Sequence, residues 1–511
     1  MQKKTLYFQA LAVFAVSLCC YLLVHYTIFA ETTGFNKYLL FASQYSRGVA
    51  APERIIDFSP LYLYINAFLQ KLFNDPGPVL LWIQFAVSAL SSALFFVILR
   101  RFFTTTVSIT GTVFFLLNRS VLLYSGINEP EIFLTLFILC FVFCTFRESS
   151  LMAAVSGLFL AFCLMIRLNL LPLVLITPII YRFIHNKNGF VRKCILFSVP
   201  VIIAIIGLSI RNYSTIGTFS PVVMNPGTVF FEGNNPVANG RTVVYPPMVD
   251  NCIDELQNES DPAHALYRII PRRITGKNLS IAQVNAYWSN KAKNFIIDHP
   301  FIWIRQLIIK IYGFFHNSRW HDIETVIAND LLLQKSFLPT IPFALISVLS
   351  LIGISISFGN WRKLIVLYGV FVSQIAVMVL TYSSDRQRVS VIFIFIFFAC
   401  AAIDFLIKKS TNPSVKITTV IIAFFLLPFF YVKNESMMDG LYQRKQFSLA
   451  QGIINETIDS RARGNLQAAS NNNILSYLHI PYLVESRLSG LRFPPDGFGM
   501  QAVAAAKRIY S

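Results

Sequence analysis

The sequence predicts an all-α polytopic membrane protein, and three observations carry that prediction. Hydrophobic residues occupy 55% of the 511 positions and charged residues only 13%. The mean hydropathy is +0.59, a balance outside the range of ordinary soluble domains. The apolar residues also gather into runs close to the ~20 residues that a helix needs to cross a hydrocarbon core. The formal charge is +18, from 43 Lys and Arg against 25 Asp and Glu. In a membrane protein such an excess belongs in cytoplasmic loops facing anionic lipid, so membrane lipids rather than nucleic acid are the expected partners.

The first run, 6–30, follows Met-Gln-Lys-Lys and is too long for the apolar core of a signal peptide, so it reads as a retained span. It delivers Glu31 to the membrane surface and opens a first outer loop, 31–76. Two stretches of this loop carry apolar residues at helical spacing: Phe35, Tyr38, Leu39, Ala42 and Tyr45, then Leu61, Tyr64, Ile65, Phe68 and Leu72. Neither is long enough to cross, which predicts two helices lying in the interface and joined through 48–60.

The next span, 79–99, ends at Arg100 and Arg101, a cytoplasmic signature. Run 106–124 returns outward, and the turn 125–131 sets Glu129 and Glu131 at the outer surface. Run 132–146 leads back to Arg147, 151–166 leads out to Arg167, and 170–184 leads in to a basic loop with Arg182, Lys187, Arg192 and Lys193. Run 194–210 then reaches Arg211 and a long outer loop, 211–300, punctuated by Pro, Gly and Asn. Run 301–315 is apolar but short, and it carries Arg305 and Lys310. The positive-inside bias of everything after it is kept only if it lies in the interface or re-enters. Spans 338–358, 364–382, 389–407 and 417–432 complete a bundle of about eleven transmembrane helices. The transmembrane domain is thus 1–432, followed by an extracytoplasmic tail, 433–511, with its N-terminus cytoplasmic.

Of the 8 cysteines, only Cys252 lies in a long polar loop, and no disulfide framework or metal-ligand spacing is visible. No cofactor or metal is expected. Glu31, Asp57, Glu129, Glu131, Arg167, Arg211, Lys310, Arg386 and Arg388 all fall on the outer side. Each could serve as a helix anchor. A mixed cluster of acids and bases at membrane depth nevertheless points to a site, because burying such groups is costly unless they are paired or solvated.

The order of short motifs resembles the GT-C superfamily of membrane glycosyltransferases, in the branch of protein O-mannosyltransferases and lipid A aminoarabinose transferases. An acid after the first span (Glu31) is followed by Pro60-Leu-Tyr62, then by Asn128-Glu-Pro-Glu131, Ile166-Arg-Leu-Asn169 and Arg211-Asn-Tyr-x-x-x-Gly217. Asn225-Pro-Gly227, Glu232-Gly-Asn-Asn-Pro236, Gly240, His299-Pro300, Lys310 and Arg386-x-Arg388 complete the order. The resemblance implies a GT-C-like bundle with interfacial helices in its first outer loop. It also implies an inverting enzyme that moves a sugar from a polyprenyl-phosphate donor to a hydroxyl of a lipid, glycan or protein in the cell envelope. The first-loop acid is the base of that family, usually Asp, so the resemblance implies Glu31 as base with Asp57 in reserve.

Transfer from such a donor also needs cations for the departing phosphate, a task suited to the planar fork of arginine. Arg386 and Arg388 are the expected clamp. Lys310 and Arg211 are secondary cations, and Tyr62, Asn234 and Asn235 are further substrate contacts. No nucleotide-sugar motif or Gly-rich phosphate loop is present, which favours a lipid-linked donor. A transporter, flippase or polymerase of lipid-linked glycans is the alternative. A transporter would show internal repeats or matched broken helices, and none is found.

Overall fold

The computed structural model describes residues 2–29, 37–50, 58–184, 189–221, 226–236, 238, 240, 262–317, 326, 329–330, 333, 336–408 and 412–431. Glu31, Asp57 and the whole tail 433–511 lie outside the described residues, as does Cys252. The described elements are helices, with no strand among them. The chain is an all-α polytopic membrane protein. Five stretches are long and apolar enough to cross a membrane, and shorter apolar helices pack among them.

The elements in order are α1 (Gln2–Val24), α2 (Lys37–Ser46), α3 (Pro60–Leu72), α4 (Pro76–Arg100), α5 (Thr105–Leu116), α6 (Arg119–Ser125), α7 (Glu131–Thr145), α8 (Ser150–Ile166), α9 (Pro172–Ile184) and α10 (Phe190–Ile216). They are followed by α11 (Pro226–Gly233), α12 (Pro262–Thr275), α13 (Ile281–Asp298), α14 (Pro300–Phe315), α15 (Phe343–Ser357), α16 (Trp361–Leu380), α17 (Asp385–Val389), α18 (Ile392–Ile407) and α19 (Pro413–Phe430).

Local chemistry sets several boundaries. Asp75 caps α4 by accepting from the Gly77 N–H, and Pro76 stands at the first helical position, where its missing donor costs nothing. The run 106–124 is broken into α5 and α6. Asn118 accepts from the N–H groups of Ser120 and Val121 and so begins a new helix. The freed end of α5 is taken up by the chain before α15, where the Ile341 N–H donates to the Leu117 carbonyl at 3.2 Å.

Burial ranks the helices from centre to rim. In α18 every residue from Ile392 to Cys400 is buried, and its rings meet those of α4, α14, α15 and α16. Gly353 lets α15 cross it closely, because a Cβ there would stand 1.8 Å from the Phe398 carbonyl oxygen. At the rim, α1 exposes Tyr7, Phe8 and Leu11, and α19 exposes Phe424 and Phe425. In a bilayer these apolar faces meet acyl chains rather than water.

The interfacial pair α2 and α3 follows the same logic. The face of α3 packed against protein carries Tyr62, Leu63, Asn66, Ala67 and Leu69, whereas Phe68 and Leu72 of the apolar stripe stand 61% and 58% exposed. The apolar stripe faces the lipid side, and the face with Tyr62 and Asn66 looks inward.

Helix α14 packs against the end of α16 and the chain that follows it. Near its start, Trp303 donates to Asn234, whose own amide donates to the Leu380 carbonyl; just past its end, the His316 carbonyl accepts from Arg388. Leu380 and Arg388 flank a single short loop at one end of the bundle, and the rings of Phe314 and Phe315 at the end of α14 reach Phe371 in the middle of α16.

Candidate active site

Three elements converge at that same end on Glu131, which is fully buried. Glu131 opens α7, where the unsatisfied N–H groups of the first turn favour a negative charge. Arg167 follows α8 in extended conformation and forms an ion pair with the Glu131 carboxylate through its terminal nitrogen. Arg386 arrives from α17, which packs on both α6 and α7, and its Nε lies 3.8 Å from Glu131 Oε1. The acid is therefore held between two guanidiniums drawn from distant parts of the chain.

A polar clip fixes the turn that carries this acid. The Tyr62 hydroxyl donates to Asn128, and the Asn128 amide donates to Asn66 Oδ1 at 3.0 Å. Gln84 donates to the Tyr62 hydroxyl and to the Glu129 carbonyl, both at 3.1 Å. Burial pushes the Tyr62 phenol well above its ordinary range, and the nearby Glu129 carboxylate adds to the effect, so the hydroxyl remains a donor. Among the described residues, Glu131 Oε2 and Arg167 Nε are buried without a hydrogen-bond partner. Such atoms are costly in a closed core and useful in a site that receives a polar ligand.

The other expected site residues are distributed around this cluster. Arg388 is two residues from Arg386 but turns elsewhere: it pairs with Asp385, donates to the His316 carbonyl at 2.7 Å and lies 4.0 Å over the Phe343 ring. Lys310 is fully buried and donates to Asn234 Oδ1 at 3.2 Å and to the Val379 carbonyl at 3.1 Å. Its ammonium is pulled down to about 7 by burial. Asn234 is bonded on every side, by Trp303 and Lys310 at its oxygen and to Phe230 and Leu380 at its nitrogen. Asn235 donates to the carbonyls of Phe231 and Glu232. The segment lies so close to the end of α16 that a Cβ at Gly233 would stand 1.8 Å from the Thr381 carbonyl oxygen. Arg211 donates to the Tyr64 hydroxyl at 2.9 Å, on the side of α3 away from Tyr62.

Comparison with known proteins bears on this arrangement. The family model for dolichyl-phosphate-mannose-protein mannosyltransferase matches residues 57–211. The match supports a GT-C membrane glycosyltransferase. No curated protein and no solved structure matches the chain. The matched stretch contains Tyr62, the acid turn and Arg167 and ends at Arg211, while Arg386 enters the cluster from outside it. The family match also supports a membrane mannosyltransferase with a polyprenyl-phosphate sugar donor.

Sequence reasoning put Glu131 and Arg167 on one side of the membrane and in the motif order, yet did not pair them as the structure does. The signal was available in the cost of an acid at membrane depth. For the buried pair of Arg119 with Asp330 there was no signal, since 211 residues separate the partners.

Proposed function

We propose that this GT-C chain transfers a sugar from a polyprenyl-phosphate donor to a hydroxyl of a lipid, glycan or protein acceptor at the extracytoplasmic face. The observation that carries the reading is the buried Glu131 held between Arg167 and Arg386, inside and beside the stretch matched by the mannosyltransferase family. The acceptor hydroxyl attacks the anomeric carbon as the bond to the phosphate oxygen breaks, a single displacement that inverts the centre. Its proton goes to a carboxylate of the first outer loop, with Glu31 as base and Asp57 in reserve.

The phosphate leaves as polyprenyl phosphate, and its charge is met by guanidinium forks. Arg386 takes this role, because Arg388 is committed to Asp385 and to a backbone carbonyl. Glu131 and Arg167 position Arg386, and the donor's tail stays in lipid. The basic turns at Arg100, Arg101, Arg147, Arg182 and Arg362 stand at the other end of the bundle, which supports an outward-facing site by the positive-inside bias.

The test is turnover. Purified protein in nanodiscs, given radiolabelled polyprenyl-phosphate mannose and a cell-envelope extract, is expected to release polyprenyl phosphate and label an acceptor. Glu31→Gln is expected to lower that rate by about 10²-fold, the scale of losing a general base. Failure to consume any of a panel of polyprenyl-phosphate sugars would remove the donor reading.

A further inference from the structure

A cavity of about 440 Å³ opens at the end of the bundle away from Glu131, where the start of α1 meets the ends of α4 and α7. Its walls include Leu6, Val97 and Phe143, and three arginines, Arg100, Arg101 and Arg147, stand around it. The guanidiniums are held apart by packing rather than by acids. Arg101 lies 5.2 Å from the centre of the Phe146 ring, and Arg147 lies 4.8 Å from that of Phe143. Arg100 donates to the Phe103 carbonyl at 2.7 Å, while its Nε is buried and has no hydrogen-bond partner.

One carboxylate, Glu148, lines the same hollow. Three cations to one anion leave a positive excess, and its effect is visible in the chemistry. Partial burial and then the charge of Arg147 make Arg101 hold its proton less firmly than usual, with Glu148 opposing them. Cations gathered in this way repel unless an anion joins them. Aromatic faces steady guanidinium planes, and planar forks suit phosphate oxygens better than point charges do.

We propose that this cavity binds a phosphate-bearing anion, either the headgroup of an acidic phospholipid from the adjoining leaflet or a free phosphate compound from solution. The apolar walls and the neighbouring exposed rings of Tyr7 and Phe8 offer acyl chains a path beside the headgroup. The cavity lies at the opposite end from the transfer site and takes no part in transfer, so its test is independent of that reading.

Two arms distinguish the sources. In the first, full-length protein from nanodiscs of mixed phosphatidylglycerol and phosphatidylcholine is examined by native mass spectrometry for retained lipid. Wild type is expected to keep phosphatidylglycerol preferentially, and Arg101→Gln and Arg147→Gln are each expected to weaken that preference about five-fold, the scale of one basic residue near an anionic surface. In the second, pyrophosphate is titrated into delipidated protein; binding in wild type that both variants lose assigns the site to a soluble anion. Both side chains are exposed, and thermal unfolding of the same preparations checks that the variants are folded. Arg101→Lys, which keeps the charge and loses the fork, provides a milder variant and is expected to fall between wild type and Arg101→Gln. Equal lipid retention and equal pyrophosphate binding by wild type and all variants would overturn the proposal.

Discussion

Two buried charges near the same end of the bundle are treated in opposite ways. Glu131 faces two guanidiniums, and one of its oxygens has no hydrogen-bond partner among the described residues. Lys310 faces neutral oxygens, Asn234 Oδ1 and the Val379 carbonyl, in a clip that binds α11 and α14 to the end of α16. The first arrangement keeps ionised groups of both signs in place and leaves hydrogen-bonding capacity open. The second closes the hydrogen bonds and lowers the cost of burial by weakening the charge itself, since its ammonium titrates at about 7. On the proposed function, the difference separates a site that receives a ligand from a joint that holds helices together.

Removing the acid should break the first arrangement most severely. Glu131→Gln keeps the shape but leaves Arg167 and Arg386 facing a neutral amide, and turnover of polyprenyl-phosphate mannose is expected to fall by about 10²-fold or more. Wild-type turnover in folded Glu131→Gln protein would reduce the cluster to a structural ion pair. Next in size is Arg386→Lys. Charge is kept and the fork is lost, so donor affinity in a direct binding assay should weaken about ten-fold. If affinity is unchanged, Arg386 is not the phosphate clamp.

Arg388→Lys sharpens the contrast within the same motif. Its guanidinium is occupied by Asp385, the His316 carbonyl and the Phe343 ring. The expected loss is therefore in stability, about 1 to 3 kcal/mol by thermal or denaturant unfolding, with donor affinity within about two-fold of wild type. The smallest effect is expected at the clip. In Lys310→Met, turnover should stay within about two-fold of wild type, and the change should be confined to how stability varies with pH.

The sign follows from the lowered folded-state value. Between about pH 7 and the ordinary lysine range near ~10.4, the unfolded chain holds a proton that the folded chain has released, so wild-type stability rises with pH across that window. Lys310→Met should flatten this rise. A variant that keeps the slope would show that Lys310 remains charged in the folded protein.

The sequence by itself determined the solvent, the element type and the order of the chain. Apolar runs of the right length admit only helices in a bilayer, because every backbone donor and acceptor must then be satisfied within its own segment. Charge at the turns between runs was enough to place the acid turn, Arg167, Arg211 and Arg386 on one side, and the motif order resembled the family that the comparison later supported. Which of these groups meet was decided only by the tertiary structure.

Nothing local distinguishes Arg386 from Arg388, yet one turn of α17 aims the first at Glu131 and the second at Asp385 and Phe343. The inward face of α3 was likewise invisible to periodicity. An apolar stripe marks the buried side only where the outside is water, and here much of the outside is lipid. Pairings such as Arg119 with Asp330 depend on helices brought together across the whole chain, and their energy comes from a shared dry environment that no single segment possesses.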